Sequence, residues 1–153
     1  MAAIYQTETY EPSKSVGHLI NRLRGEIFSA LDHEMETDPS VAALEVTAAQ
    51  YLILTNLAKG ENDSTARFCK QMSYDPGAMT RMLDRLEAKG LLKRGRCPDD
   101  RRLVNIELTE AGRAAIPKLR ACSVNVLNRF LKGFTSDEVV MLERLLQRMV
   151  ANA

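Results

Sequence analysis

The chain has 153 residues, 45% of them apolar, with 21 basic and 20 acidic side chains for a net charge of +1. That length fits one domain (1–153), and that apolar fraction excludes wholesale disorder. No apolar run approaches the roughly 20 residues a membrane helix needs, the N-terminus lacks the basic start and apolar core of a secretory signal, and three cysteines at no metal-like spacing fit a reducing compartment, so a cytoplasmic protein is expected.

Residues 1–12 are polar, end in Glu11-Pro12, and read as a frayed arm. Ser13 is expected to cap a long helix over 13–36, with Val16, Leu19, Ile20, Leu23, Ile27 and Leu31 at helical spacing, and Thr37-Asp38-Pro39 stops it. The second helix is signed by a capping box, Thr47 with Gln50, and by Val46 and Tyr51 at staple positions. It carries Leu52, Leu54 and Leu57 to a stop at Gly60. Ser64 opens a short third helix with Phe68, Cys69 and Met72 inward, Cys69 as a buried structural thiol. The fourth has Asp75 as N-cap and Pro76 at its first position, where a missing N–H costs nothing. Its inward stripe is Met79, Met82, Leu83 and Leu86; Gly77, Thr80, Arg81, Asp84, Arg85 and Ala88 face away, and Gly90 ends it.

A strand over Leu91–Gly95 then pairs with an alternating return strand, Val104–Leu108, around the tip Cys97-Pro98-Asp99-Asp100-Arg101-Arg102. Thr109 caps a fifth helix that packs through Ile116, Leu119, Leu127, Phe130 and Leu131, with a bend expected at Pro117 and a stop at Gly133. The last helix has the capping box Thr135 with Glu138, the staple pair Phe134 and Val139, and the stripe Val139, Leu142, Leu145, Leu146 and Met149. The stripes of the terminal helices are too long for the small central unit to cover, so a second copy of the chain is the expected partner. The seven methionines read as core filler.

Charge is gathered in the middle. Residues 67–102 hold ten Lys/Arg against five acids, an excess of five, so everything outside sums to −4. A compact helix pair followed by a basic ribbon fits duplex DNA, with a helix for the major groove and the ribbon for the minor.

The segment from Asp75 to Gly90, DPGAMTRMLDRLEAKG, resembles the recognition helix of the multiple-antibiotic-resistance-regulator (MarR) family of winged helix-turn-helix transcription factors. The ribbon is independently similar to that family's wing signature: Asp100-Arg101-Arg102, five residues, then Leu108-Thr109 and Gly112. The resemblance covers nearly the whole chain. It implies a mainly α (α+β) winged helix-turn-helix with a DNA-binding unit over 47–109 and dimerisation helices over 13–36 and 110–151. It also implies a homodimeric repressor on pseudo-palindromic double-stranded DNA, released by a small aromatic or phenolic ligand.

The residue chemistry suits those roles. Pro76, Gly77 and Ala78 start the helix where backbone approaches the duplex and a phosphate is favoured. Thr80 and Arg81 share a face, and arginine bonds a guanine edge bidentately. Arg85, Lys89 and Arg94 suit phosphates. Arg101 belongs to the wing tip, and Arg102 would enter the minor groove with Asp100 holding its guanidinium. The blander reading of Arg81 and Arg85 is a solvated helix face, paired with Asp84 or Glu87. The ligand pocket the resemblance implies would be framed by the first, second and fifth helices, with His18, Arg22 and Tyr51 as its polar lining.

Other chemistry finds little support. His33 stands among Asp32, Glu34, Glu36 and Asp38, but no two-His helical spacing with a third ligand exists, so neither metal nor cofactor is expected. No phosphate loop, nucleophile elbow or His-paired nucleophile points to an enzyme. A purely structural dimerisation module would explain the long helices but not the basic ribbon. Cys97, beside Arg94, Arg96 and Arg101, is the one thiol with a redox reading, since those charges favour thiolate while Asp99 and Asp100 oppose it. Cys122, mid-helix, points to nothing in particular.

Overall fold

A computed structural model describes residues 3–60, 74–96 and 104–152. Among them are five α-helices, α1 (Val16–Thr37), α2 (Ala48–Ala58), α3 (Pro76–Ala88), α4 (Glu110–Phe130) and α5 (Ser136–Ala151), and two strands, β1 (Leu92–Arg96) and β2 (Val104–Leu108). The expected helix opened by Ser64, with Phe68, Cys69 and Met72, lies outside the described residues, as does the ribbon tip 97–102.

Ser15, not Ser13, caps α1: its side chain accepts from the His18 amide at 3.2 Å. Pro12 sits first in a 3-10 turn over Pro12–Lys14, so Ser13 is already helical, and the first extended residue able to cap is Ser15. The other caps follow the sequence. Thr47 and Gln50 form the capping box of α2, Asp75 accepts from the Ala78 amide at 2.9 Å, Thr109 caps α4, and Thr135 with Glu138 caps α5. Gly60, Gly90 and Gly133 hold the left-handed conformations that end their helices.

One core joins Leu31 and Met35 of α1, Ile53 and Leu54 of α2, Met79, Leu83 and Leu86 of α3, Leu92, Ile106 and Leu108 of the ribbon, and Ile116, Leu119 and Val126 of α4. The ribbon is antiparallel, with Leu92 opposite Leu108 and Arg94 opposite Ile106. Leu91 itself precedes the ladder. Its carbonyl accepts from the Thr109 amide at 3.2 Å, which pins the ribbon's base to the start of α4. Gly112 makes that approach possible, because a Cβ there would stand 1.9 Å from the Leu91 oxygen.

Three stripes bury differently from the sequence expectation. In α2, Ile53 is fully buried while Leu52 and Leu57 are half-buried. In α4, Ala115, Cys122 and Val126 are inward, whereas Leu127 and Phe130 are exposed, and the helix runs on through Pro117. In α5 no residue is buried, and Phe134 of the expected staple is half exposed. The exposed apolar residues gather on the first half of α1 (Val16, Leu19, Ile20, Leu23), the end of α4 and the length of α5. No described helix is long and apolar enough to cross a membrane.

Candidate nucleic-acid interface

Helix α3 divides into two faces as its periodicity requires. Met79, Leu83 and Leu86 are fully buried and Met82 half-buried; Gly77, Thr80, Arg81, Asp84, Arg85 and Ala88 are all exposed. Pro76 begins the helix without an N–H to satisfy. The Asp75 carboxylate occupies the space over the first turn, so a Cβ on Gly77 would stand 3.1 Å from Asp75 Oδ1 and 3.5 Å from Arg81 Nη1. Gly77 therefore makes room for the cap as well as keeping the helix start slim, and the Arg81 guanidinium reaches back over that turn. Ala78 is half-buried at the same end. The Thr80 hydroxyl donates to the Pro76 carbonyl at 2.9 Å, which leaves its oxygen lone pairs and methyl for a partner.

The acids of this helix are already engaged. Arg94, on β1, donates through Nη1 to Asp84 Oδ1 at 2.5 Å and lies 3.5 Å from Glu87 Oε2, and its own backbone N–H donates to Glu87 Oε1 at 3.0 Å. The Arg94 side chain is only 24% exposed. Its expected phosphate role is thus joined by a structural one: it clamps ribbon to helix, and its charge is largely spent. Lys89 likewise donates through Nζ to the Glu45 carbonyl, tying the C-terminal end of α3 to the loop before α2. Glu45 there adopts a left-handed φ of 48°, an unfavourable backbone for a residue with a Cβ. With Asp84 and Glu87 held by Arg94, Arg81 and Arg85 form no ion pair among the described residues. The pairing that the solvated-face reading needs is absent there.

Arg94's engagement had a signal in the sequence. Asp84 and Glu87 are three apart on one helix face, so a cation on the adjoining strand is the natural partner. The Lys89–Glu45 contact, 44 residues apart, had none.

Asp100, Arg101, Arg102 and Cys97 lie outside the described residues. His18 and Arg22 are exposed on α1, while Tyr51 is buried in α2. The three are not brought together at any of three clefts of about 340–420 Å³ on the surface: one under the α1–α2 loop, one beneath the N-terminal arm, one between α2 and β2.

The acidic end of α1 is absorbed by packing. Asp32 accepts from the Ala48 amide at 2.6 Å, and Glu34 accepts from Arg129 at 2.6 Å and from Asn125 at 3.4 Å. Asp38 accepts from the Ser40 hydroxyl and amide at 2.6 and 2.8 Å. The Arg129 bond holds the Glu34 carboxyl below its ordinary range, and Ser40 does the same for Asp38. Cys122, buried and 3.7 Å from Asp38 Oδ2, is pushed up by burial and then by that carboxylate, so its thiol stays protonated.

Comparison with known proteins converges on one family. The MarR family profile matches residues 46–104. The multiple antibiotic resistance protein MarR of Escherichia coli is 36% identical over 111 residues, covering 72% of this chain and 77% of that protein. The crystal structure of an Escherichia coli MarR mutant complexed with operator DNA superposes with a TM-score of 0.74 at 31% identity, covering 88% of this chain and 92% of that one. Bordetella bronchiseptica BpsR, whose DNA binding is regulated by 6-hydroxynicotinic acid, superposes with a TM-score of 0.77 at 26% identity, covering 92% and 96%.

Proposed function

The chain is a transcriptional regulator of the MarR family, and on that premise we propose that it represses transcription as a cytoplasmic homodimer bound to pseudo-palindromic promoter DNA, until a small aromatic or phenolic molecule releases it. The observation that carries the DNA reading is the state of Arg81 and Arg85. Both are exposed on the outward face of α3, while the nearest carboxylates of that helix are held by Arg94. Two guanidiniums with no ion pair among the described residues are what a guanine edge and a phosphate recognise. The operator complex of the Escherichia coli relative supports the same reading.

In this scheme residues 47–109 form the DNA-binding unit, and 13–36 and 110–151 the dimerisation helices. The start of α3, Pro76 to Ala78, lets the backbone approach a phosphate; Thr80 and Arg81 read bases; Arg85 holds the phosphate backbone. Lys89 and Arg94 act first by holding the helix in place, and their remaining donors add to the basic field. Arg101 and Arg102, with Asp100 orienting the latter, are the minor-groove contacts. His18 and Arg22, one turn apart and exposed on α1, and Tyr51, buried in α2, are the polar groups proposed for the effector; the regulation of BpsR by 6-hydroxynicotinic acid supports a small anionic ring. No residue is given a catalytic role.

A gel-shift titration over a range of salt tests this. Arg81→Ala is expected to lose about 1–3 kcal/mol on the operator and relax preference at one base position. Arg85→Ala is expected to weaken binding to all sequences and flatten the salt slope by about one unit. A wild-type protein with no salt-dependent affinity for any duplex would end the reading.

A further inference from the structure

Arg24 follows Leu23, the last residue of the exposed apolar stripe on α1. Its guanidinium carbon stands 4.8 Å from the centroid of the Phe28 ring, and its Nη2 donates to the Tyr74 hydroxyl at 3.5 Å. Phe28 and Tyr74 are half-buried and pack against the common core, so the platform under the guanidinium is fixed while the guanidinium itself is exposed. Tyr74 immediately precedes Asp75, the residue whose carboxylate caps α3. Fifty residues separate Arg24 from Tyr74, so chain connectivity does not impose the contact. The other end of α3 is held separately, by Lys89 on the Glu45 carbonyl. The DNA-facing helix is therefore tethered at both ends, and the tether at its N-terminal end runs to the helix whose apolar stripe stays exposed among the described residues.

We propose that Arg24 is a positioning residue that fixes where the first turn of α3 stands relative to the dimer scaffold, and so sets the half-site spacing that the dimer accepts. The proposal rests on the DNA-binding reading above. Its physical basis is shape. A planar guanidinium stacks on one ring and donates edge-on to a second group at the same time, whereas an ammonium is a point charge that does not reproduce both contacts. Because bases are read within a few tenths of an ångström, a tether at the helix start is felt as register between two half-sites, which two-fold symmetry holds about one helical turn apart.

The experiment uses the full-length protein and the inverted repeat that it enriches from a randomised duplex library, together with the same repeat lengthened and shortened at its centre by one base pair. Binding is measured at one fixed salt concentration for wild type, Arg24→Ala, Arg24→Lys, Tyr74→Phe and the double variant Arg24→Ala/Tyr74→Phe. Both single losses are expected to weaken binding to the enriched repeat about two- to fivefold and to narrow the preference for it over the two altered spacings. Arg24→Lys should behave like Arg24→Ala, and the double variant should be no weaker than the weaker single, as one shared contact requires. Full recovery by Arg24→Lys, or an equal loss on all three spacings, would reduce Arg24 to a surface charge and overturn the proposal. Amide exchange of Ala78 and Met79 without DNA separates the two levels. Faster exchange in Arg24→Ala and Tyr74→Phe is expected whatever the protein binds, and unchanged exchange would refute the tether itself. If the tether is present but no repeat is enriched, the DNA reading falls and the spacing role with it.

Discussion

Helices α3 and α5 carry apolar stripes at the same helical spacing and do opposite things with them. Met79, Leu83 and Leu86 of α3 are sealed against α2 and the ribbon, while Leu142, Leu145 and Met149 of α5 stay 37, 45 and 46% exposed. Each helix is capped by side chains at its N-terminus, so neither difference in burial comes from how the helix begins. The contrast teaches that an amphipathic pattern announces a buried face without saying whose chain covers it. For α3 the cover is local. For α5, and for the first half of α1, none of the described residues covers it, and a second copy is the cover proposed above, since an exposed apolar surface of this extent in water is unfavourable.

The comparison is broken most directly by substituting each stripe. Leu83→Ala is expected to cost about 2–5 kcal/mol of folding stability, because a fully buried leucine leaves a cavity its neighbours fill only in part. Denaturant unfolding measures it, and a loss under 1 kcal/mol would mean that the unit's core is elsewhere. Leu145→Asp should instead leave the fold standing and weaken self-association by about 2 kcal/mol or more, as a charge at the centre of an apolar interface does. Sedimentation at micromolar concentration reads this directly; a variant that sediments like the wild type would remove α5 from the interface.

The ribbon sharpens the same contrast at one atom. Gly112→Ala sets a methyl against the Leu91 carbonyl, which is backbone and pinned by Thr109, so the start of α4 and the base of the ribbon must separate. A cost of about 1–3 kcal/mol is expected, along with weaker DNA binding as the ribbon shifts. Unchanged stability would show that the approach is looser than its geometry.

The smallest effect is electrostatic and lies on the seam between α1 and α4 and at the start of α5. Glu34, Asp38 and Glu138 are all held below the ordinary carboxylate range in the folded chain, chiefly by Arg129, by Ser40 and by the Thr135 amide respectively. A lowered folded-state value means that the unfolded chain takes up protons first. Their contribution is therefore present above the unfolded carboxylate pKa, near about 4, and is lost as pH falls through the folded values. Melting temperature should decline on the acid side, and Arg129→Gln should flatten that decline. An identical acid limb in the variant would take the Glu34–Arg129 pair out of the account.

Much of this was legible in the chain. Caps are local chemistry, so Thr47, Asp75, Thr109 and Thr135 could be read from residues within one turn, and β2 could be read from its alternation. Ser15 was missed because Pro12 starts a 3-10 turn that consumes Ser13, a competition between two short-range signals. The outward face of α3 was read correctly residue by residue, since period 3.6 fixes both faces once one is known. The sequence suits Lys89 and Arg94 to phosphates; the Glu45 carbonyl that holds Lys89 lies 44 residues away and leaves no local trace, whereas the Asp84–Glu87 pair that holds Arg94 is close by on the preceding helix.

Sequence by itself thus determined the caps at Thr47, Asp75, Thr109 and Thr135, the two faces of α3 and the family, all of which depend on neighbours along the chain. Tertiary structure decided that Lys89 is spent on Glu45, which acids are structural, how Cys122 comes to be buried, and which stripes stay exposed among the described residues. Those outcomes depend on distances between residues tens of positions apart, and the packing of whole elements sets them.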